Sequence, residues 1–162
     1  MKHISKACYS IYKDDQHLKT ELDSFSNGGK LDAFRHVFFM AAFAQHVKPK
    51  KLRKLGKAHE KGNYRQYLRS LKEDNELADS LGMIMDLNNN EIGFVIGSQN
   101  KKADLQNLKQ TVISEIKSGK ALIMKRRKDG IYLDCDGKPV VIKEIHSWYV
   151  PKCLVSSEFV YR

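Results

Sequence analysis

The stretch "LDAFRHVFFMAAFAQHV", residues 31–47, determines the fold expected for this chain. Its apolar residues surround the whole circumference of a helix, so this helix is predicted to lie in a core. It nevertheless carries Asp32, Arg35 and His36 within five residues. An isolated buried charge is too unfavourable to keep. We therefore expect these three side chains to pair with one another, with polar groups of other helices, or with a ligand.

A second helix is predicted to follow Pro49, a residue tolerated in a first helical turn, and to end at Gly62-Asn63. A projection at about 100° per residue places His59 inward, on the face of Leu52 and Leu55, with Glu60 on the flank. The opposite face is basic and is a candidate surface for an anion or a protein partner. It consists of Lys50, Lys54, Lys57 and Lys61.

A third long helix is predicted within residues 73–98, where polar residues and glycines share one stripe. The stripe comprises Asp79, Gly82, Asp86, Asn90, Gly93 and Gly97, with Asn89 at its edge. Glycine destabilises a helix by roughly 1 kcal/mol relative to alanine. Several glycines on one stripe therefore predict the close approach of a backbone or a ligand.

The three inward-facing polar sets form one candidate catalytic cluster. Its members are Asp32, Arg35, His36, His59, Glu60, Asp86, Asn89 and Asn90. Histidine and carboxylate can perform acid–base chemistry, with Asp32 orienting His36 and Arg35 holding an anionic substrate. The alternative is a purely structural Asp–Arg pair with hydrogen-bonded histidines that fixes the helix packing.

A metal version of the cluster uses His36, His59 and Asp86 as ligands and Glu60 as base, with a divalent metal as the possible cofactor. The segment "AHEKGN" does not match the His-Glu-x-x-His zinc signature. The cysteines Cys8, Cys135 and Cys153 have no metal-type spacing, and we expect them to be reduced.

The fold class predicted is mainly α, in a single domain spanning residues 1–162. About five helices form the body, at about 14–118, including a first helix at 14–24 and one over 104–118. Short β-rich runs separated by "KDG" and "CDG" predict a small antiparallel β-meander at about 120–145. The tail, 146–162, gives no clear pattern.

The net charge of +10 is concentrated in one segment. Between Lys48 and Lys72 there are ten Lys or Arg residues against one acid, Glu60. Such a patch suits nucleic acid, anionic lipid headgroups or an acidic protein, or is simply a solvated face. The longest apolar run, Val37–Ala44, is far shorter than the roughly 20 residues that span a bilayer. The N-terminus has too many polar residues for a secretory signal, so we expect a soluble protein.

The motifs "GGKLDAFRHVFFMAAFA", "LGKAHE", "MDLNNNEIGFVIGS" and "SEIKSGKALIM" together resemble an uncharacterised bacterial domain. That domain occurs at the C-termini of wall-associated and Rhs-type polymorphic toxins and as small standalone proteins. The resemblance covers roughly residues 28–125, and its polar positions coincide with the candidate cluster. One departure is Asn88, where the family often has histidine; the projection turns Asn88 away from the polar stripe.

The resemblance implies an interbacterial toxin or effector. Such a protein is made in the bacterial cytoplasm, secreted into a competitor by a dedicated system and neutralised at home by a cognate immunity protein. Our first hypothesis is a hydrolase of an envelope component or another phosphate-bearing substrate. The alternative is a non-enzymatic effector that blocks a target protein through the basic surface or the meander. A nucleic-acid-binding or cleaving protein, with Tyr64 and Tyr67 available to stack, ranks third.

Overall fold

The computed structural model describes residues 1–70, 72–73, 76–142 and 147–162. Within these ranges the chain forms six α-helices and two small antiparallel sheets, which confirms the mainly α fold with a C-terminal sheet. The helices are α1 (Lys2–Asp14), α2 (Gln16–Glu21), α3 (Lys30–Ala44), α4 (Pro49–Leu68), α5 (Ser80–Gln99) and α6 (Leu105–Lys117). The strands are β1 (Lys72–Glu73), β2 (Glu76–Leu77), β3 (Leu122–Met124) and β4 (Leu154–Ser156). None of the helices in these ranges is long and apolar enough to cross a bilayer.

Helix α3 is the central element, as its sequence predicts. Eleven of its fifteen residues are buried. Phe34 and Phe38 stack on each other, with ring centroids 5.1 Å apart, and belong to the same core cluster as Val112 and Ile116 of α6. The helix therefore has no solvated face on which its charged residues could be placed.

Helix α5 crosses α3 at the two glycines of the predicted stripe. A Cβ atom at Gly93 would lie 2.5 Å from the carbonyl oxygen of Val37. A Cβ atom at Gly97 would overlap the carbonyl oxygen of Ala41. The partner that approaches these glycines is therefore the backbone of α3, which fixes the register between the two helices.

Three element boundaries differ from those predicted. Helix α1 was not expected, yet it buries Cys8 and packs Ile11 against the core. The predicted end of α4 at Gly62-Asn63 is wrong, because the helix continues to Leu68 and the Asn63 amide bonds within it to Glu60. Helix α5 begins at Ser80 rather than among the acids near residue 73, since Asp79 caps it by accepting hydrogen bonds from two backbone N–H groups.

The C-terminal β segment returns the tail to the helical body. Strand β3 pairs with β4 from the tail, while the described part of the predicted hairpin runs forms the isolated bridges Arg126↔Tyr132 and Leu133↔Pro139. The "KDG" and "CDG" turns are present, with positive φ at Gly130 and Gly137. Part of the predicted run 138–144 lies outside the described residues.

The expectation of three reduced cysteines is wrong for two of them. Cys135 and Cys153 form a disulfide, while Cys8 is free and buried. The bond forms because the tail returns beside β3, which brings together two residues separated by 18 positions in the chain.

Candidate active site

Asp32 is held at the start of α3 by its own loop and by the next turn of the helix. The backbone N–H of Gly28 donates to Asp32 Oδ2 at 2.7 Å. Arg35 donates to Asp32 Oδ1 through Nη2 at 2.6 Å and Nε at 3.2 Å. Both oxygens of this buried carboxylate therefore have partners, and the predicted Asp–Arg pair is present.

His36 lies one turn further along α3 and contacts α5. Its Nε2 is 3.1 Å from Asp86 Oδ1, 3.6 Å from Asp32 Oδ1 and 3.2 Å from Arg35 Nη2. Its Nδ1 faces the side-chain amide oxygen Oδ1 of Asn90 at 3.4 Å. An amide oxygen only accepts, so this contact assigns the ring proton to Nδ1 and leaves the Nε2 lone pair facing the two aspartates. The residue that orients His36 is thus Asn90, whereas the sequence had suggested Asp32.

Burial determines the protonation states of His36 and Asp86. Burial lowers the pKa of His36 to about 4, although the negative charge of Asp32 raises it, so the imidazole is neutral at pH 7. Burial also raises the pKa of Asp86 well above its usual range, and the nearby Asp32 and Glu60 carboxylates raise it further. The pocket around Asp86 therefore contains more negative charge than it can hold without a proton or a cation.

Glu60 approaches the same pocket from α4. Its side chain is 4 % exposed, and Asn63 Nδ2 donates to its Oε2 at 3.1 Å. Its Oε1 is buried and has no hydrogen-bond partner among the described residues. Burial raises the pKa of Glu60 to about 7, against the lowering effect of the Asn63 hydrogen bond. A carboxyl group with a free oxygen and such a pKa can accept a proton near neutral pH.

The face of α4 predicted to be buried is wrong by one residue. Leu52, Gly56 and Glu60 are buried, whereas Leu55 and His59 are exposed. A shift of one residue rotates the face by about 100°, so Glu60 is the buried residue and His59 the exposed one. Both side chains still line the same cleft.

The cleft has a volume of about 90 Å³ and is walled by α3, α4, α5 and the C-terminal segment. Its ionisable lining among the described residues is Asp32, Arg35, His59, Glu60, Asp79, Asp86 and Lys152. Four of these seven are carboxyls. Lys152 and Asp79 pair at 2.8 Å with both side chains buried, which ties the tail to the start of α5.

One group of three side chains has the geometry of a metal site. Asp32, His36 and Asp86 each offer a donor atom, and these atoms lie within 4.8 Å of one another. The ligand set predicted from sequence differs in one member, because the exposed His59 is not in this group and Asp32 is.

The two asparagines of the predicted cluster have different surroundings. Asn90 contacts His36, as described above. Asn89 is fully buried, and its amide exchanges hydrogen bonds of 2.9 Å with the N–H and carbonyl of Leu122 in β3, so it lies outside the cleft. Asn88 is exposed and donates to the Ile84 carbonyl, which agrees with its predicted orientation away from the cluster.

The predicted basic face of α4 is exposed along its length. Lys50, Lys54, Lys57 and Lys61 all lie in solvent. Lys57 and Lys61 also line a groove of about 370 Å³, together with Tyr64 and Trp148, whose rings are 4.8 Å apart. Glu60 borders both this groove and the cleft. A substrate in the cleft can therefore extend toward the lysines.

Three groups that position the site were not predicted from the sequence. The Gly28 N–H and the Asn63 amide hold the carboxyls of Asp32 and Glu60, and Lys152 neutralises Asp79. Asn63 follows Glu60 by three residues on one helix, a spacing that signals contact. Lys152 had no such signal, because its position depends on how the tail folds back.

Comparison with known proteins gives one family. The profile of a family described as a domain of unknown function (DUF6973) matches residues 1–120. No curated protein and no solved structure matches the chain. The matched range contains all six helices and the whole Asp32, His36, Glu60 and Asp86 group. The chain belongs to this family of uncharacterised domains.

Proposed function

We propose that this chain is a hydrolase that acts from the cleft between α3, α4 and α5. The observation that carries the proposal is Glu60, a buried carboxyl with one unpartnered oxygen in a polar cleft. A side chain that served only to join helices would have its hydrogen-bonding capacity satisfied by the protein. An unsatisfied one is better suited to a water molecule or a substrate.

Glu60 is a better base than His36 for this reaction. Glu60 lines the cleft with a free carboxyl oxygen, whereas His36 is not among the lining residues and both of its ring nitrogens face partners. Glu60 would take a proton from water while the water oxygen bonds to the phosphorus or carbonyl carbon of the substrate. The bond to the leaving group then breaks, and Glu60 returns the proton to that group. The guanidinium of Arg35 is available to stabilise the charge that develops.

The substrate class and the biological setting rest on the resemblance to polymorphic-toxin domains. We propose an effector that attacks an envelope component or another phosphate-bearing substrate of a competitor and is neutralised by a cognate immunity protein. The disulfide between Cys135 and Cys153 supports action outside the cytoplasm, because disulfides persist in oxidising compartments such as the periplasm.

Growth of a bacterial host tests both parts of the proposal. The chain is expressed in the cytoplasm or with an added periplasmic export signal, as wild type, Glu60→Gln and Glu91→Gln. Glu91 is an exposed carboxyl on α5, paired with Arg53, and serves as the matched control. We expect exported wild type and Glu91→Gln to arrest growth and Glu60→Gln to be harmless while melting at the wild-type temperature or above.

Two outcomes would overturn the proposal. If Glu60→Gln arrests growth as strongly as wild type, Glu60 is not the catalytic base and the hydrolytic site is refuted. Absence of arrest by wild type in both compartments would remove the toxin role.

A second candidate is a non-enzymatic effector that binds a target protein through the basic face of α4. The exposed lysines and the adjoining groove with Trp148 favour it. Charge reversal at Lys50, Lys54 and Lys57 would then abolish growth arrest, and Glu60→Gln would not. Binding of nucleic acid ranks third, because Tyr64 and Tyr67 stack on each other and pack against Trp148, which leaves less of each ring free to stack on a base. Binding to DNA that weakens steeply with salt would favour it.

A further inference from the structure

We infer that Asp32, His36 and Asp86 together bind one divalent transition-metal ion. The three side chains come from adjacent turns of α3 and from α5, and their donor atoms lie within 4.8 Å of one another beside the cleft. One imidazole and two carboxylates form a mixed nitrogen and oxygen donor set, which suits Zn²⁺ and Mn²⁺ better than Mg²⁺ or Ca²⁺.

Two of the three distances between the donor atoms fit such an ion. Ligand bonds of about 2.1 Å with angles between 90° and 110° place neighbouring donors about 3.0–3.5 Å apart. His36 Nε2 lies 3.1 Å from Asp86 Oδ1 and 3.6 Å from Asp32 Oδ1. The donors of Asp32 and Asp86 are bounded only by the 4.8 Å span of the group, so an ion also requires these two carboxylates to move toward each other and the Arg35 guanidinium to turn away.

Outer hydrogen bonds orient two of the three ligands. The Nδ1 of His36 is held by Asn90, which directs Nε2 toward the aspartates, and the Gly28 N–H fixes the second oxygen of Asp32. Metal-bound histidines and carboxylates are usually supported in this way.

A second observation, independent of the cluster, also points to an ion. The cleft contains the unpartnered, buried Oε1 of Glu60, which belongs to a different helix. Among the described lining residues, four carboxyls face two permanent cations, Arg35 and Lys152. A phosphate-bearing substrate would be repelled by these carboxyls whenever they are ionised. A bound divalent ion would neutralise them, attract the substrate and hold a water molecule within reach of Glu60.

Arg35 is the internal competitor of this ion. Its Nη2 lies 2.6 Å from Asp32 Oδ1 and 3.2 Å from His36 Nε2, so its guanidinium contacts two of the three donor atoms. The side chain is 38 % exposed and has room to turn toward the cleft. Removal of its charge should therefore strengthen metal binding, an effect opposite to that of removing a ligand.

Calorimetric titration of the purified full chain with Zn²⁺, Mn²⁺ or Mg²⁺ alone tests the inference. We expect one ion per chain, with Zn²⁺ binding most tightly and Mg²⁺ least. Asp86→Asn should weaken Zn²⁺ binding at least about 100-fold, because loss of even an outer partner costs about 10–100-fold. Arg35→Gln should strengthen it about tenfold, and His59→Ala and Glu91→Gln should leave it unchanged.

A variant that fails to fold does not leave the inference untested, since Arg35→Gln must raise affinity rather than lower it. Binding of Co²⁺ to the wild type should also give visible absorption bands that Asp86→Asn lacks. Failure of Zn²⁺ to bind the wild type, or equal weakening by His59→Ala and Asp86→Asn, would overturn the inference.

Binding of the ion does not depend on the hydrolase proposal, although its catalytic role rests on that proposal. Loss of toxicity in Glu60→Gln together with absence of metal binding would overturn the metal site and leave the hydrolase. Metal binding together with full toxicity of Glu60→Gln would support the site and overturn the hydrolase.

Discussion

The two ends of the contact between α3 and α5 differ sharply in chemistry. At one end Gly93 and Gly97 lie against the backbone at Val37 and Ala41, and no side chain fits between the helices. At the other end the side chains of Asp32 and His36 face those of Asp86 and Asn90 through polar contacts. The glycine end fixes the register, and the polar end uses that register to bring its donor atoms together.

The comparison predicts opposite responses to substitution. Tight apolar contact stabilises a fold, so substitutions there should lower stability. Buried charges lower stability unless they are well paired, so neutral substitutions at the polar end should preserve or raise it while removing function.

The largest effect is expected at the glycine end. Gly97→Val would place a branched side chain on the Ala41 carbonyl and force α5 away from α3. We expect a loss of more than about 4 kcal/mol in the free energy of unfolding, measured by urea denaturation.

The matched control is Gly62→Ala, a helical glycine with no atom within 4 Å of the added Cβ. It should gain about 0.5–1 kcal/mol from helix propensity. Equal stability of Gly97→Val and wild type would show that the close contact does not set the register.

The next effect concerns Asp86 at the polar end. Asp86→Asn keeps the shape of the side chain but removes a carboxyl whose pKa is raised by burial and by its acidic neighbours. We expect loss of growth arrest with a melting temperature at or above that of wild type. A variant that unfolds instead would mean that Asp86 holds the helices together, as the structural alternative proposes.

The stability contribution of Glu60 should depend on pH in a definite direction. Its pKa in the folded protein is about 7, against an ordinary value of 4.5, so the native state binds the extra proton between these values. The stability that this proton provides is therefore lost as pH rises through about 7.

Glu60→Gln isolates this effect, because it removes the titrating group and keeps Asn63 and the other neighbours. We expect the variant to gain stability relative to wild type on going from pH 5 to pH 8, by about 1–3 kcal/mol. The pKa of the buried His36 is lowered to about 4, so its contribution to the free energy of unfolding is lost as pH falls below 6.5. This loss is the same in wild type and in Glu60→Gln, so it cancels in the difference between them. A difference between the two proteins that stays constant over this range would show that Glu60 is ionised throughout.

The glycine end was easier to predict from sequence than the polar end. The 3.6-residue period places Asp86, Asn90, Gly93 and Gly97 on one stripe whatever the partner helix is, and α5 confirms that stripe. The face of α4 was wrong because apolar Leu55 was assumed to point inward. It is 45 % exposed, while Gly56 faces Asn90, where an added Cβ would lie 3.3 Å from the amide nitrogen.

The remaining errors concern contacts between distant parts of the chain. The partner of Cys135 and the role of Lys152 depend on the return of the tail beside β3 and α5. Local periodicity contains no information about such a return. The same limit applies to the exchange between His59 and Asp32 in the metal-binding group, because only the packing of three helices decides which donor reaches His36.

The smallest effect is expected on the basic face of α4, which has neither close contacts nor buried charge. Lys50→Glu combined with Lys54→Glu changes two exposed side chains that point away from the cleft, so the free energy of unfolding should change by less than about 0.5 kcal/mol. If catalysis occurs among Asp32, Glu60 and Asp86, the double variant should still arrest growth at a matched expression level. Loss of growth arrest in a double variant that melts like wild type would show that this surface, and not the cleft, carries the function. The polar end of the α3–α5 contact would then serve only to pair the buried charges of the two helices.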